Sequence, residues 1–250
     1  MSAEEEKHAR YVSGLKPQED TLKSHGARTA EKDCQYMLPM LVQMAKDKPD
    51  LKLLDVGCGP GSITLGLARY MPDGKIVGID LSETVLEKAR QTAKEQDINN
   101  VTFAKADVYQ LPYADGIFDI VHTHQAVCHF HEHVRAIKEL IRVTRKGGVL
   151  CMREGDIPSA RFYPPNAVLE ESWAMMTACF IANGTAIDAG MQLKQWTVEA
   201  GVPRENIVAT AGTWCHNTPE QRQAFGEPWP GRITKGPFAE KAIEIEFCNK

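Results

Sequence analysis

A glycine-rich turn that directly follows an apolar run is the feature that most constrains how this chain can fold. Residues 53–56 (LLDV) predict a buried strand, and residues 57–61 (GCGPG) follow it at once. Gly57, Gly59 and Gly61 can adopt positive φ and carry no Cβ, so the chain can reverse sharply and its backbone can approach a ligand closely. The sequence therefore predicts a nucleotide-binding turn between a strand and a helix.

The competing interpretation of this turn is a dinucleotide fingerprint, G-x-G-x-x-G, whose third glycine permits close helix packing beneath a pyrophosphate. That third position is Ser62 here, and a glycine stands instead at position 61. Asp55, two residues before the first glycine, could reach an amino group or a water beside a bound amino acid. The pattern favours S-adenosylmethionine (SAM) as the ligand, and a nicotinamide-dependent oxidoreductase is the alternative.

Two further acidic residues follow predicted strands downstream. Asp80 ends the predicted strand 75–80, where a carboxylate can accept hydrogen bonds from both ribose hydroxyls. Asp107 follows the strand 101–105, where it can accept a hydrogen bond from the exocyclic amine of adenine. The apolar neighbours expected to cover the adenine ring are Leu81, Ala106 and Val108. Because open parallel sheets bind ligands outside the carboxyl ends of their strands, these acids and Asp55 are expected to converge on one crevice.

Strands and helices alternate along the chain, which predicts an α/β fold with a Rossmann-like, mostly parallel seven-stranded sheet and helices on both faces. Predicted strands are 51–56, 75–80, 101–105, 117–122, 149–154, 206–215 and an antiparallel 243–247, and predicted helices are 28–44, 62–70, 83–96, 131–144, 167–181 and 192–200. The glycines at 147–148 are expected to stop the fourth of these helices, 131–144. We interpret residues 1–250 as one domain with an N-terminal cap (1–45), a cofactor-binding core (46–155), an insertion (156–191) and a C-terminal sheet edge (192–250).

The insertion after the fifth strand breaks this alternation and is rich in proline, aromatic residues and methionine. Such a composition suits a lid over a hydrophobic substrate, because methionine side chains adapt to irregular shapes. A helix that simply packs on the sheet is the alternative. The lid interpretation is favoured because ligand sites in these sheets are covered by the segments that follow the strand ends.

Five of the eight histidines lie between positions 122 and 133. The first interpretation is a catalytic base or positioning group at the end of the fourth strand, formed by His124 and His129 with Gln125 beside them. The second is a metal site through the H-x-H pattern, which is less favoured. The third is that these histidines begin a helix and cover its surface. No metal is expected.

A second candidate pair lies near the N-terminus. Arg28 could bind the carboxylate of SAM through charge-assisted hydrogen bonds. His25 is a candidate catalytic residue, and a surface or capping role for it is the alternative.

Composition disfavours several classes of partner. The net charge of −4 and the pI near 6.1 give no electrostatic reason to expect nucleic acid or an anionic membrane. Apolar runs stay well below the ~20 residues of a membrane span, and the charged start MSAEEEKHAR differs from a signal peptide, so we expect a cytoplasmic protein. Seven scattered cysteines without C-x-x-C indicate neither a disulfide framework nor a zinc knuckle. The expected partner is a small molecule. The sequence does not determine the oligomeric state, and a homodimer is one of the possible states.

Several separate segments together resemble the class I SAM-dependent methyltransferases, within them the ubiquinone/menaquinone C-methyltransferases and their small-molecule relatives. The segments are LLDVGCGPG (53–61), VGIDLS (77–82), ADVYQLPYADGIFDIV (106–121) and ELIRVTRKGGVL (139–150), and the stretch from Tyr11 through residues 24–30 is similar to a segment that lies over the SAM site in relatives. The resemblance covers residues 11–155. It implies methyl transfer from SAM to a small apolar or aromatic metabolite, with S-adenosylhomocysteine as product, and it places His124 and Gln125 beside the methionine portion of SAM. The alternative is a SAM-fold binding or regulatory protein that does not methylate.

Overall fold

Five parallel strands form the centre of the computed structural model, which describes residues 19–227. The strands are β1 (Lys52–Val56), β2 (Lys75–Asp80), β3 (Val101–Lys105), β4 (Phe118–His124) and β5 (Thr144–Arg153), and they lie in the order β3-β2-β1-β4-β5. Every neighbouring pair is parallel, so all five carboxyl ends lie along the same edge of the sheet. The Rossmann-like α/β class predicted from the alternation of elements is confirmed.

Nine α-helices connect and flank these strands within the described range. They are α1 (Glu19–Gly26), α2 (Ala30–Asp33), α3 (Leu38–Asp47), α4 (Ser62–Ala68), α5 (Glu83–Glu95), α6 (His133–Val143), α7 (Ala167–Ala182), α8 (Ala189–Glu199) and α9 (Pro219–Gly226). Short 3-10 turns follow β4 at Val127–His129, β5 at Ile157–Ser159 and α8 at Arg204–Asn206. In residues 19–227, no helix has both the length and the apolar character that crossing a bilayer requires.

The sheet buries both of its faces. Leu53 of β1 packs in a core with α2, α3 and α4, whereas Leu54 packs in a second core with α6 and α8. Successive side chains of a strand point to opposite faces, which is why one residue separates the two cores. Asp55 lies two residues after Leu53 on β1, and His122 lies two residues after Ile120 on β4. The same alternation therefore places both side chains on the face that α2–α4 cover.

The N-terminal cap differs from the single helix predicted for residues 28–44. Thr29 caps the short helix α2 by accepting a hydrogen bond from the backbone N–H of Lys32, and the helix ends at Asp33. A new helix, α3, begins at Leu38 with Pro39 in its first turn. Proline lacks a backbone N–H and is tolerated only there, so the helix has to start again instead of continuing through position 39.

The predicted sixth strand is wrong. Residues 204–206 form a 3-10 turn, and residues 207–217 contain neither helix nor strand. This segment instead carries Trp214 back to the carboxyl edge of the sheet, where its ring lies over Arg153 of β5. The sheet of the described residues therefore has five strands and not seven. The predicted seventh strand, 243–247, lies outside the described residues.

β4 and β5 are both longer than the sequence indicated. β4 continues to His124, and β5 begins at Thr144, directly after α6, so the glycine stop expected at 147–148 does not exist. Phe118 pairs with Thr144 and Ile120 with Val149, which leaves extra residues in β5 between the two pairs. Gly147 has a φ of +71° within this irregular stretch. The glycine therefore allows a bulge in a strand and does not end a helix.

Candidate functional site

The glycine turn joins β1 to α4 at the carboxyl edge of the sheet. Gly57, Gly59 and Gly61 all have positive φ, between 54° and 79°. A Cβ on Gly57 would lie 2.5 Å from the Cβ of Ala126, so this position has no room for a side chain. A Cβ on Gly59 would have no protein atom within 4 Å. Gly57 is therefore required by packing, whereas Gly59 leaves an open surface that a ligand can approach.

Asp80 ends β2 beside this turn. One carboxylate oxygen accepts a hydrogen bond from the backbone N–H of Gly59 at 3.0 Å, and the other accepts from that of Ser82 at 2.9 Å. Burial raises the pKa of Asp80, and these two N–H donors oppose that change. The carboxylate therefore fixes the position of the turn while its side chain stays partly exposed to the crevice.

The end of β3 lies at the same edge. The backbone N–H of Ala106 donates to the carbonyl of Asp80 at 3.2 Å, which brings Asp107 next to the end of β2. The Asp107 carboxylate accepts from the backbone N–H of Tyr109 at 3.0 Å. Val108 is buried, and Leu81 and Ala106 are half-buried. The structure thus brings together two of the three predicted acids and their apolar neighbours.

Asp55 is placed differently from the other two acids, because its side chain lies inside the fold. One oxygen accepts from the hydroxyl of Thr64 at 2.5 Å, and the other lies 2.7 Å from Nδ1 of His122. Only 3% of Asp55 is exposed. Burial on its own lowers the pKa of His122, but Asp55 and Cys34 together outweigh it and raise that pKa to about 10. Asp55 is thus engaged with the core beneath the glycine turn.

His124 ends β4 and is 6% exposed. Neither of its ring nitrogens has a hydrogen-bond partner among residues 19–227. Burial, together with the nearby cations Arg28 and Arg153, lowers the pKa of His124 to about 2. An imidazole that takes up a proton only near pH 2 is a poor base at neutral pH, which argues against the catalytic role predicted for it. Gln125 follows with a φ of +49°, and its backbone N–H donates to the backbone carbonyl of Arg153.

The remaining predicted residues are spread around this edge. Arg28 is half-buried near Asp33 and Glu154, and its guanidinium has no hydrogen bond or ion pair to another described residue. His25 lies near His124 and accepts a hydrogen bond from the Ser62 hydroxyl through its carbonyl. His129 stands in the 3-10 turn after β4, with Nδ1 3.4 Å from the hydroxyl of Thr185. Tyr11 lies outside the described residues.

Two groups at this edge were missed by the sequence reasoning. Glu154 directly follows β5, and its carboxylate accepts from the backbone N–H groups of Ala126 and Val127 at 2.8 and 2.7 Å. Burial raises the pKa of Glu154 to about 7. An acid after a fifth predicted strand was visible in the sequence, in the same pattern that identified Asp80.

The second missed feature is a latch of three residues that are distant in sequence. Arg153 donates to the carbonyl of Asp33 at 2.5 Å, and its guanidinium lies 4.5 Å from the centre of the Trp214 ring. The Trp214 indole N–H donates to the Asp33 carboxylate at 3.3 Å and its ring packs edge-on against His124. No local pattern could have indicated this contact, because it depends on where residues 207–217 run.

Comparison with known proteins places this site in a family. The methyltransferase-domain family model matches residues 47–217, which include the glycine turn and all five strands of the described sheet. The chain belongs to the methyltransferase-domain family. An uncharacterized methyltransferase of Schizosaccharomyces pombe is 38% identical over 219 residues, 84% of this chain and 73% of that protein. The demethylmenaquinone methyltransferase of Lactococcus lactis is 32% identical over 118 residues, 47% of each chain.

Solved structures share the fold of this methyltransferase. A SAM-dependent methyltransferase from Aquifex aeolicus superposes with a TM-score of 0.50 at 18% identity, covering 69% of this chain and 86% of that one. The [4+2]-cyclase SpnF superposes with a TM-score of 0.56 at 24% identity, covering 87% of this chain and 74% of that one. The family assignment identifies SAM as the cofactor and the chain as a SAM-dependent methyltransferase.

Proposed function

We propose that this methyltransferase binds SAM at the carboxyl edge of β1–β3 and transfers its methyl group to a small apolar or aromatic metabolite. One observation carries the cofactor site: Asp80 accepts from Gly59 through its side chain and from Ala106 through its carbonyl. The turn, the end of β2 and the end of β3 are thereby joined into a single crevice. The free space above Gly59 fits a ligand that approaches the backbone closely.

Within this crevice we assign each predicted residue a role. Asp80 accepts the ribose hydroxyls and Asp107 the adenine amine, with Leu81, Ala106 and Val108 against the adenine ring. Arg28 pairs with the carboxylate of SAM, because its guanidinium is half-buried without a partner among the described residues. Asp55 acts from below by fixing Thr64 at the start of α4, which holds the glycine turn in place.

The acceptor side is formed by the segment after β5. Helix α7 is mostly apolar, and its Trp173 ring packs against Phe162 and Phe225 at centroid distances of 5.8 and 6.4 Å. The Trp173 indole N–H donates to the carbonyl of Ile157 at 3.4 Å, which ties this helix to the turn that follows β5. An aromatic cluster at this place favours an apolar or aromatic acceptor over a charged one.

Bound SAM supplies a methyl group on a sulfonium, already activated for displacement. The protein therefore has to position the acceptor and to exclude water. Where the acceptor must lose a proton, Glu154 is better suited than His124, because its pKa of about 7 lies near the working pH and that of His124 lies near 2. His129 and His25 stay candidates for positioning the acceptor.

A binding or regulatory protein that does not methylate is the second function considered. The fold neighbour SpnF is a [4+2]-cyclase, so this fold alone does not require methyl transfer. The two functions differ in turnover. Incubation with SAM labelled on its methyl group and a panel of quinols, phenols and apolar amines tests this. We expect label in an aromatic or apolar product together with S-adenosylhomocysteine. SAM binding without label in any product would favour the second function.

Isothermal titration with SAM, S-adenosylhomocysteine and NAD tests the cofactor site itself. We expect micromolar binding of the first two and none of NAD. Absence of SAM binding in a folded protein would overturn the assignment of the crevice.

A further inference from the structure

Three side chains able to bind a metal meet on the face of the sheet that α2–α4 cover. They are Cys34, directly after α2, and His122 and His124, two residues apart on β4. One ligand atom from each lies within 4.8 Å of the others, and all three residues are buried. Cys34 and His122 are 88 residues apart in the chain, so local spacing could not reveal the thiol that completes this group.

The spacing of the first two ligand atoms suits a tetrahedral zinc ion. Sγ of Cys34 lies 3.6 Å from Nε2 of His122. Zn–S and Zn–N bonds of about 2.3 and 2.0–2.1 Å at a tetrahedral angle place sulfur and nitrogen roughly 3.5 Å apart. One thiolate and two imidazoles are ligands that favour zinc over magnesium or calcium, which prefer oxygen.

A hydrogen bond to Asp55 orients His122 for this role. Nδ1 of His122 lies 2.7 Å from the Asp55 carboxylate, so Nε2 is the nitrogen directed at Cys34. Metal-binding histidines almost always donate their other ring N–H to a carboxylate, a backbone carbonyl or a water, and this partner fixes the orientation of the ring. Thr64 holds the other Asp55 oxygen, so the carboxylate is itself fixed.

His124 provides the independent indication that a ligand is missing. Its ring is 6% exposed and both nitrogens lack a partner among residues 19–227. A buried imidazole without hydrogen bonds is costly, and a bound ion would use one of its nitrogens. No such cost arises at His122, whose two nitrogens face Asp55 and Cys34.

The charges around the site admit a dication. Arg28, Arg153 and His25 all lie near His124 and oppose a positive ion there. Asp33 and Glu154 lie near Arg28, and Asp55 lies against His122. Binding of Zn²⁺ displaces the thiol proton of Cys34 and any proton on Nε2 of His122 into solvent, so the thiolate and Asp55 together balance the ion.

We propose that Cys34, His122 and His124 form a zinc site that joins the N-terminal cap to the end of β4, with a fourth position for water. The ion links α2 to the strand that ends beside the proposed methionine portion of SAM, so its role is to organise that edge of the crevice. His124 then acts as a metal ligand and not as a base.

Metal-free protein titrated with Zn²⁺ and, separately, with Co²⁺ tests this site. We expect one equivalent of Zn²⁺ to bind and to raise the melting temperature. We expect Co²⁺ to give the intense visible bands of a four-coordinate ion together with a thiolate-to-cobalt charge-transfer band. Cys34→Ser should remove that band and weaken zinc binding by more than roughly 100-fold, since even an outer partner is worth about 10- to 100-fold. The matched control is Cys179→Ser, a buried cysteine of α7, which should leave both unchanged.

X-ray absorption of zinc-loaded wild-type protein identifies the ligand atoms of the ion directly. This measurement therefore does not depend on whether Cys34→Ser folds. One sulfur with two histidine nitrogens supports the site. Failure to bind one equivalent of zinc, a shell without sulfur, or a charge-transfer band that survives Cys34→Ser overturns it. A SAM titration of the metal-free protein tests the cofactor crevice without the ion, so failure of the metal site is distinguishable from failure of the methyltransferase assignment.

Discussion

Asp55 and His122 occupy paired positions on β1 and β4, and Oδ1 of the first lies 2.7 Å from Nδ1 of the second. Both residues are buried beneath the glycine turn, 67 residues apart in the chain. The pair joins the strand that carries the turn to the strand that ends at His124. It therefore links the cofactor crevice to the core that α2–α4 cover.

Asp55→Ala should lower the free energy of unfolding by about 3–5 kcal/mol, because it leaves the buried His122 without its carboxylate. Asp55→Asn should cost less, since the amide retains an acceptor for Thr64. Urea denaturation in the presence of a chelator measures both. Asp73→Ala, at an exposed acid in the turn before β2, is the matched control and should change little. Wild-type stability in Asp55→Ala would show that the pair contributes nothing.

Gly59→Ala and Gly57→Ala should separate ligand binding from folding. A methyl group at 59 meets no protein atom, so the variant should fold with a loss of about 1 kcal/mol from the positive φ. Its affinity for SAM should fall at least roughly tenfold, because the methyl group enters the space left for the ligand. Gly57→Ala should instead destabilise the fold, since its Cβ would clash with Ala126. Calorimetric titration and thermal unfolding of both variants distinguish the effects, and equal SAM binding in Gly59→Ala would contradict the proposal.

Asp80→Ala should weaken SAM binding by about 1.5–3 kcal/mol through loss of charged hydrogen bonds, roughly a 10- to 150-fold increase in Kd. Asp73→Ala, near the opposite end of the same strand, should bind SAM as wild type does. Titration calorimetry with SAM and S-adenosylhomocysteine measures the change. A folded Asp80→Ala protein with unchanged Kd would remove the ribose assignment.

Much of the crevice follows from sequence because its parts are local. The turn at 57–61, Asp80 and Asp107 each lie at or just after the end of a strand, and parallel strands align their carboxyl ends. The contacts of His122 with Asp55 and Cys34 were not predictable in the same way, because they depend on strand register and on the break between α2 and α3. The strand predicted for 206–215 is wrong for a related reason: the local sequence does not reveal that Trp214 packs on Arg153.

Glu154 should make stability depend on pH. Its folded pKa of about 7 lies above the ordinary value, so the folded state retains a proton that the unfolded chain has already lost. Stability should therefore fall as pH rises from about 5 to about 8, by roughly 1–3 kcal/mol. Glu154→Gln retains an oxygen acceptor for the two backbone N–H groups and cannot ionise, so the Glu154 contribution to this fall should be absent from its profile. Parallel pH profiles from both proteins would contradict the assignment.

Trp173→Ala should raise the KM for an aromatic acceptor about tenfold or more and leave the Kd for SAM unchanged, because the ring belongs to the acceptor side. Val168→Ala, an exposed position of the same helix, is the control and should alter neither value. Steady-state kinetics with the best acceptor from the panel, combined with SAM titration, measure both. A change in SAM affinity without a change in KM would place α7 against the cofactor instead.

The latch of Asp33, Arg153 and Trp214 has a consequence for the order of biosynthesis. A nascent chain that has left the ribosome only as far as β5 already contains the glycine turn and all five strands. It still lacks the indole that packs on Arg153 and His124. The contacts of Trp214 with Arg153 and His124 therefore form only after translation has continued well beyond β5.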